Sequence, residues 1–108
     1  MKANIKRRWI RALRSGRYTQ GTGALHDDRS NTYCCLGVLS QIVNKKRPKP
    51  HYTYTHRINN TCDGAELSPK FMKKVGLDVN IMDILIRMND ENRLNFEQIA
   101  DWLEENKV

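Results

Sequence analysis

The residues Tyr33 to Val43, Tyr-Cys-Cys-Leu-Gly-Val-Leu-Ser-Gln-Ile-Val, form the most apolar stretch of this 108-residue chain. Two prolines and four cations in Asn44-Lys45-Lys46-Arg47-Pro48-Lys49-Pro50 follow at once and end it. A stretch of that length and apolarity reads as a buried helix, opened by Asn31 or Thr32 as N-cap and stopped at an exposed connection. Every other element has to pack around it. Dividing so short a chain in two would leave neither half enough apolar surface to bury, so residues 1–108 read as a single domain.

The segments on either side supply the packing partners. Residues 3–14 place Ile5, Trp9, Ala12 and Leu13 at helical spacing, with Arg7, Arg11 and Arg14 along another side and Lys6, Arg8 and Arg17 nearby. Ser15-Gly16 closes this basic amphipathic helix, glycine being suited to a left-handed cap. Tyr18 to Leu25 holds Gly21 and Gly23 in an aromatic and threonine-containing stretch that reads as a short strand or extended loop. His26 to Asn31 reads as a turn. His51 to Ile58 alternates aromatic residues with threonine in the β period, so an antiparallel pairing of parts of 18–25 and 51–58 is expected.

Further on, Leu67-Ser68-Pro69 carries a serine cap followed by proline at the first helical position, and Gly76 ends that short helix. Asp78 or Asn80 opens a helix with Ile81, Ile84, Leu85 and Met88 on one face, ending at Asn89 to Asn92. Asn95 caps the last, with Phe96, Ile99, Ala100 and Leu103 as its apolar stripe and Trp102 beside it. These two helices read as a hairpin. The expected fold class is α+β: one small, helix-dominated domain with a short antiparallel β element.

Charge is divided unevenly. Residues 1–57 hold 13 Lys/Arg against two Asp/Glu, whereas residues 58–108 hold six against ten, so a front half of +11 faces a back half of −4. A basic half of this kind suits nucleic acid, nucleotide phosphates or an acidic protein surface, and part of it suits the chain's own acidic C-terminal helix. No apolar run reaches the ~18 residues of a bilayer span, and Met1 to Arg8 enters no signal-peptide core, so a cytoplasmic protein without membrane contact is expected. Adjacent Cys34 and Cys35 with a third, Cys62, fit reduced thiols better than a disulfide framework.

The order of features resembles a widespread family of small uncharacterised proteins encoded by phages and prophages. Trp9, Ala12-Leu13, Ser15-Gly16, Tyr18, Gln20-Gly21, Gly23 and Leu25 carry the resemblance. Tyr33-Cys34-Cys35-Leu36-Gly37-Val38-Leu39, Met88-Asn89-Asp90, Phe96 and Ile99-Ala100-Asp101-Trp102 continue it. It implies a provenance and a place in a host cell; it brings no catalytic residues.

Each chemical candidate stands beside a plainer alternative. Cys34 or Cys35 near a helix N-terminus, with His26, His51 or His56 as base, has the parts of a thiol nucleophile, but both cysteines lead the most apolar segment, where free cysteine behaves as a small hydrophobe. Zinc is disfavoured because no Cys-x2-Cys or His-x3-His pair exists. Gly21 and Gly23 with Arg17 and Arg29 form a candidate phosphate loop against the start of the 33–43 helix, or else a structural turn. Lys6, Arg7, Arg11, Arg14, Lys45, Lys46, Arg47, Tyr52 and Tyr54 form the candidate surface for nucleic acid or an acidic partner.

Asp101, Trp102, Glu104 and Glu105 form a candidate protein interface. The same acids, with Glu97, exclude the last helix as a DNA-reading helix. No catalytic set, metal site or cofactor is assigned. Three functions are therefore expected in order: a phage-type accessory protein that binds or inhibits host nucleic-acid-handling or antiviral-defence machinery; a direct nucleic-acid binder; and a nucleotide or phosphate binder or thiol enzyme.

Overall fold

The computed structural model describes residues 1–48 and 66–108. Its elements are α1 (Ala3–Arg14), β1 (His26–Asp27), β2 (Thr32–Tyr33), α2 (Cys35–Asn44), α3 (Pro69–Val75), α4 (Val79–Asp90) and α5 (Phe96–Glu105). Helices dominate, and the sheet is one antiparallel pair, so the fold is a small α+β domain.

The basic helix forms where its periodicity places it. Trp9 and Leu13 are buried, and Ile5, Ile10 and Ala12 flank them. Its end is doubly marked: the Ser15 hydroxyl donates to Ala12 O at 2.6 Å, and Gly16 takes φ +75°. The β element differs from the expectation. The antiparallel pair is His26↔Tyr33 and Asp27↔Thr32, so the segment read as a turn is a hairpin with its own two-residue strands. Asp27 accepts from the Arg29 amide at 2.9 Å, and Asn31 takes φ +53°, which together reverse the chain.

Strands of two residues are too short to show an alternation. Residues 18–25 reach the sheet only through the isolated parallel bridge between Gln20 and Tyr33. The other strand expected, 51–58, lies outside the described residues. Because Thr32 and Tyr33 belong to β2, α2 begins at Cys35 with Cys34 as its cap, later than Asn31 or Thr32 would have opened it.

α2 is the centre of the core, and Cys35, Leu36, Val38 and Leu39 are wholly buried. α3 is capped by Ser68, whose hydroxyl accepts from Phe71 N at 3.2 Å, and stops at left-handed Gly76. α4 is capped by Asp78. Its inner face is rotated from the one expected: Met82, Leu85, Met88 and Asn89 are buried, while Ile84 is 40% exposed.

α5 opens with a reciprocal capping box between Asn95 and Gln98. Its principal neighbour is α1 and not α4, so the expected C-terminal hairpin is a minor contact. Arg14, at the end of α1, meets Glu97 at the start of α5, and Lys6 meets Asn106 beyond its end, so the two helices run antiparallel. α1 thus lies between α5 on one flank and α2 on the other.

Candidate functional site

The cysteines and the glycine loop meet at the start of α2, and every polar group there already has a protein partner. Gly37 N donates to Cys34 Sγ at 3.4 Å, Cys35 N to Asn89 Oδ1 at 3.2 Å, and the Trp9 indole to Cys35 O at 2.9 Å. Cys35 Sγ lies 3.8 Å from Leu85 O. Burial pushes the Cys34 thiol up to about 12 and the Cys35 thiol well above its ordinary range. A nucleophile needs the opposite shift and an exposed sulfur, so this pair is structural.

His26 offers no base to it. Its ring is buried, with Nδ1 3.0 Å from Asp28 and Nε2 2.9 Å from Asn31, and it packs against Tyr33 with ring centroids 4.5 Å apart and planes tilted by 53°. His51, His56 and Cys62 lie outside the described residues. Among the described residues no group of three metal-ligating side chains comes together.

The expected phosphate loop is also closed. Gly21 N donates to Tyr33 O at 2.8 Å, and Gly21 O accepts from Asn89 Nδ2 at 2.9 Å. A side chain at Gly21 would run into Thr32, and one at Gly37 into the Leu25 carbonyl, so these glycines serve close backbone approach. Arg17 and Arg29 do not converge on the loop. Arg17 lines a groove beside α1, Arg29 is exposed in the hairpin turn, and the cation in the hollow beside Gly21 is Arg93.

Asn89 is the residue that sequence reasoning missed. Only 1% exposed, it accepts from Cys35 N and from Gln20 Nε2, the latter at 2.9 Å, and donates to Gly21 O and to Asp90. It joins three segments distant in sequence, and its signal was a polar residue at helical spacing from Met82 and Leu85.

On the surface, two candidate groups prove to be partners of each other. Arg14 contacts Asp101 at 2.6 Å, Glu104 at 2.7 Å and Glu97 at 3.4 Å. Hydrogen bonds to Glu104 and then Asp101 raise the guanidinium's pKa further above its ordinary value. Arg14 is therefore engaged within the molecule, and so are two of the proposed interface acids. Trp102 is partly buried against the core, and Glu105 is exposed. One cation against three carboxylates leaves the α5 flank of α1 acidic near that end.

The α2 flank is different. Arg8 donates to Ile42 O at 3.0 Å, which ties α1 to the last turn of α2, and Lys45, Lys46 and Arg47 follow Ile42 within five residues, all exposed. Arg8 thereby seats the end of α2, from which this second basic cluster runs on, against α1, while Lys46 and Arg47 line a separate hollow with Glu66, Ser68 and Phe71. Arg7 and Arg11 stand exposed on the outer crest of α1 and, among the described residues, form no ion pair. Lys6 turns to the other side and donates to Asn106 O at 2.8 Å.

A groove of about 480 Å³ runs between the crest and α2, lined by Arg8, Arg11, Ala12, Ser15, Arg17, Tyr18 and Ile42. A second, of about 720 Å³, opens on the α5 side with Ala3 and Ile10 among its lining residues and Lys6, Arg7, Arg11, Arg14, Ser15 and Glu104 completing it. Tyr52 and Tyr54 fall outside the described residues.

The family model of DUF8296, a domain of unknown function, matches residues 1–81. The chain belongs to that family. The DUF8296 match runs from α1 to the first turn of α4, so it takes in both basic clusters, the glycine loop and the cysteine pair, while Asn89 and α5 lie beyond it. No curated protein and no solved structure matches the chain. No described helix of this DUF8296 protein is long and apolar enough to cross a membrane.

Proposed function

We propose that this DUF8296 protein is a binding protein whose working surface is the cationic α2 flank of α1, and that its partner there is nucleic acid. The observation that carries this reading is the gathering of Arg8, Arg11 and Arg17 along one groove. Arg8 seats the end of α2 against α1, Arg11 and Arg17 stand exposed along the groove between them, and Lys45, Lys46 and Arg47 follow that end of α2 along the chain. Exposed cations that neutralise phosphates release counterions, which supplies sequence-independent affinity. Cys34 and Cys35 are buried, and Gly21 is tied to Tyr33 and Asn89.

The test is retention of labelled DNA and RNA oligonucleotides across a salt series. Affinity is expected to fall linearly on a log–log plot, and glutamine at both Arg7 and Arg11 to flatten the slope by about 0.7–0.9 for each phosphate no longer neutralised. Absence of binding at low salt overturns the reading.

A second reading is favoured by the larger groove. Its Ala3 and Ile10, rimmed by Lys6, Arg7 and Arg11, suit an acidic amphipathic segment of a protein. The resemblance to phage and prophage proteins supports placing either activity in the host cytoplasm, as an accessory function directed at nucleic-acid-handling or antiviral-defence machinery. Recovery of one host protein from a nuclease-treated lysate, abolished on replacing Ile10 with aspartate, is the result expected of this second reading.

A further inference from the structure

Resting on the nucleic-acid reading, we propose that the α1/α2 groove is a single-strand site that receives one nucleotide at a time, its base against Tyr18 and its phosphates on Arg11 and Arg17. Three observations carry this. The first is asymmetry. α1 projects as a ridge, and a ridge set into a duplex groove has a phosphate strand on each side. Here the α5 flank, beside the end of α1 next to the groove, offers Glu97, Asp101 and Glu104 around Arg14 at the usual ~8–10 Å spacing of packed helices, with Lys6, Arg7 and Arg11 lining that flank farther back along α1. The second strand of a duplex would meet those carboxylates, whereas a single strand can follow the α2 flank alone.

The second observation is the composition of the groove. Arg11 and Arg17 are exposed guanidinium groups, Ala12 and Ile42 are apolar lining, and Tyr18 is a partly buried ring. A groove with a cation pair and an aromatic face matches how single strands are held without base-edge reading: phosphates on the cations, bases stacked on rings. Its volume of about 480 Å³ lies in the range of small-ligand sites.

The third is rigidity. Tyr18 meets Tyr33 edge-on at 5.2 Å and 83°, and Arg8 is tethered to Ile42 O, so the ring and one wall are held before any ligand arrives. Ser15 is not counted among the ligand groups, because its hydroxyl already donates to Ala12 O and accepts from Arg17 N. Those bonds hold the start of the segment bearing Arg17 and Tyr18.

The experiment compares a short oligothymidylate, the duplex of the same length, and an oligonucleotide of abasic sugar-phosphate units, all across the same salt series against the intact protein. The single strand is expected to bind at least ten-fold tighter than the duplex, and loss of the bases to weaken it roughly ten-fold. The abasic probe leaves the protein untouched, so it reads stacking even where a Tyr18 variant folds poorly. Tyr18→Leu should reproduce the abasic loss with an unchanged salt slope, Tyr18→Phe should restore affinity, and Arg17→Gln should lower the slope by about 0.7. Equal affinity for single strand, duplex and abasic probe overturns the groove proposal and leaves nucleic-acid binding standing. Absence of binding to all three overturns both.

Discussion

The start of α2 and the outer flank of α1 are both rich in polar groups, and they resolve in opposite ways. Around Asn89 the polar groups are matched: the buried amide side chain takes up Cys35 N, Gln20 and the Gly21 carbonyl, and no buried side-chain nitrogen or oxygen among the described residues lacks a partner. On the crest and α2 flank of α1, Arg7, Arg11 and Arg17 are exposed and form no ion pair among the described residues. Satisfied, desolvated polarity is part of the folding problem, because a buried group without a partner is costly. Unpaired surface charge contributes little to the fold and remains available to a ligand.

The largest effect should come from breaking the buried side of that contrast. Asn89→Leu strands the Cys35 amide and the Gly21 carbonyl, at about 1–3 kcal/mol for each group left unsatisfied, while the Gln20 amide keeps its bond to Leu94 O. A loss of about 3 kcal/mol in the urea-unfolding free energy is expected, with a smaller loss for Asn89→Asp, which keeps the acceptor for Cys35 N. A drop under ~0.5 kcal/mol, the size of an ordinary surface change, would put Asn89 on the wrong side of the comparison.

The thiols sharpen it next. Burial holds Cys34 protonated up to about 12 in the folded state, while in the unfolded chain it ionises near its ordinary value of about 8.5. A group raised on folding contributes its full stability below the unfolded value and loses it as pH rises towards the folded one. The wild type should therefore lose stability relative to Cys34→Ala between roughly pH 9 and 12, measured as the gap between their urea midpoints. A gap independent of pH would mean that solvent reaches the sulfur. Below about pH 8, neither Cys34 nor Cys35 should react with a chromogenic disulfide reagent until the chain unfolds.

On the exposed side, Arg7→Gln and Arg11→Gln together should leave the unfolding midpoint nearly unchanged, within about 0.5 kcal/mol. A large destabilisation would show that these arginines belong with Asn89 as structural groups. The smallest effect is expected at Arg14. Replacing it with glutamine removes an internal partner of Asp101 and Glu104, so binding to an oligonucleotide should stay within about two-fold of wild type, read by fluorescence anisotropy.

Much of the helical framework was legible in the sequence because its signals are local. Gly16, Ser68 with Pro69, Gly76, Asp78 and the Asn95–Gln98 box each mark a helix end through bonds to residues within a turn. The same locality explains the errors. β1 and β2 are too short for a period to register, so Asp27 and Asn31 looked like turn residues, which they are, without betraying the strands beside them. On α4 the expected Leu85 and Met88 are buried, but Met82 and Asn89 complete the inner face in place of Ile81 and Ile84, because Ile81, Met82, Ile84 and Leu85 are all apolar and only the neighbours decide which of them turns inward.

The candidate sites divide along the same line. That cations would cluster in the front half, and that Cys34 and Cys35 would sit in apolar surroundings, follows from composition and order alone. Which arginines remain available does not, since Arg14 differs from Arg7 and Arg11 only in the helix it faces. Hydrophobic periodicity and capping act within a few residues, and so the sequence by itself determined the helices, the burial of the cysteines and the sign of each half. The roles of Asn89, Arg14 and Tyr18 depend on groups distant along the chain, and only the packing of α1 between α2 and α5 brought those groups together.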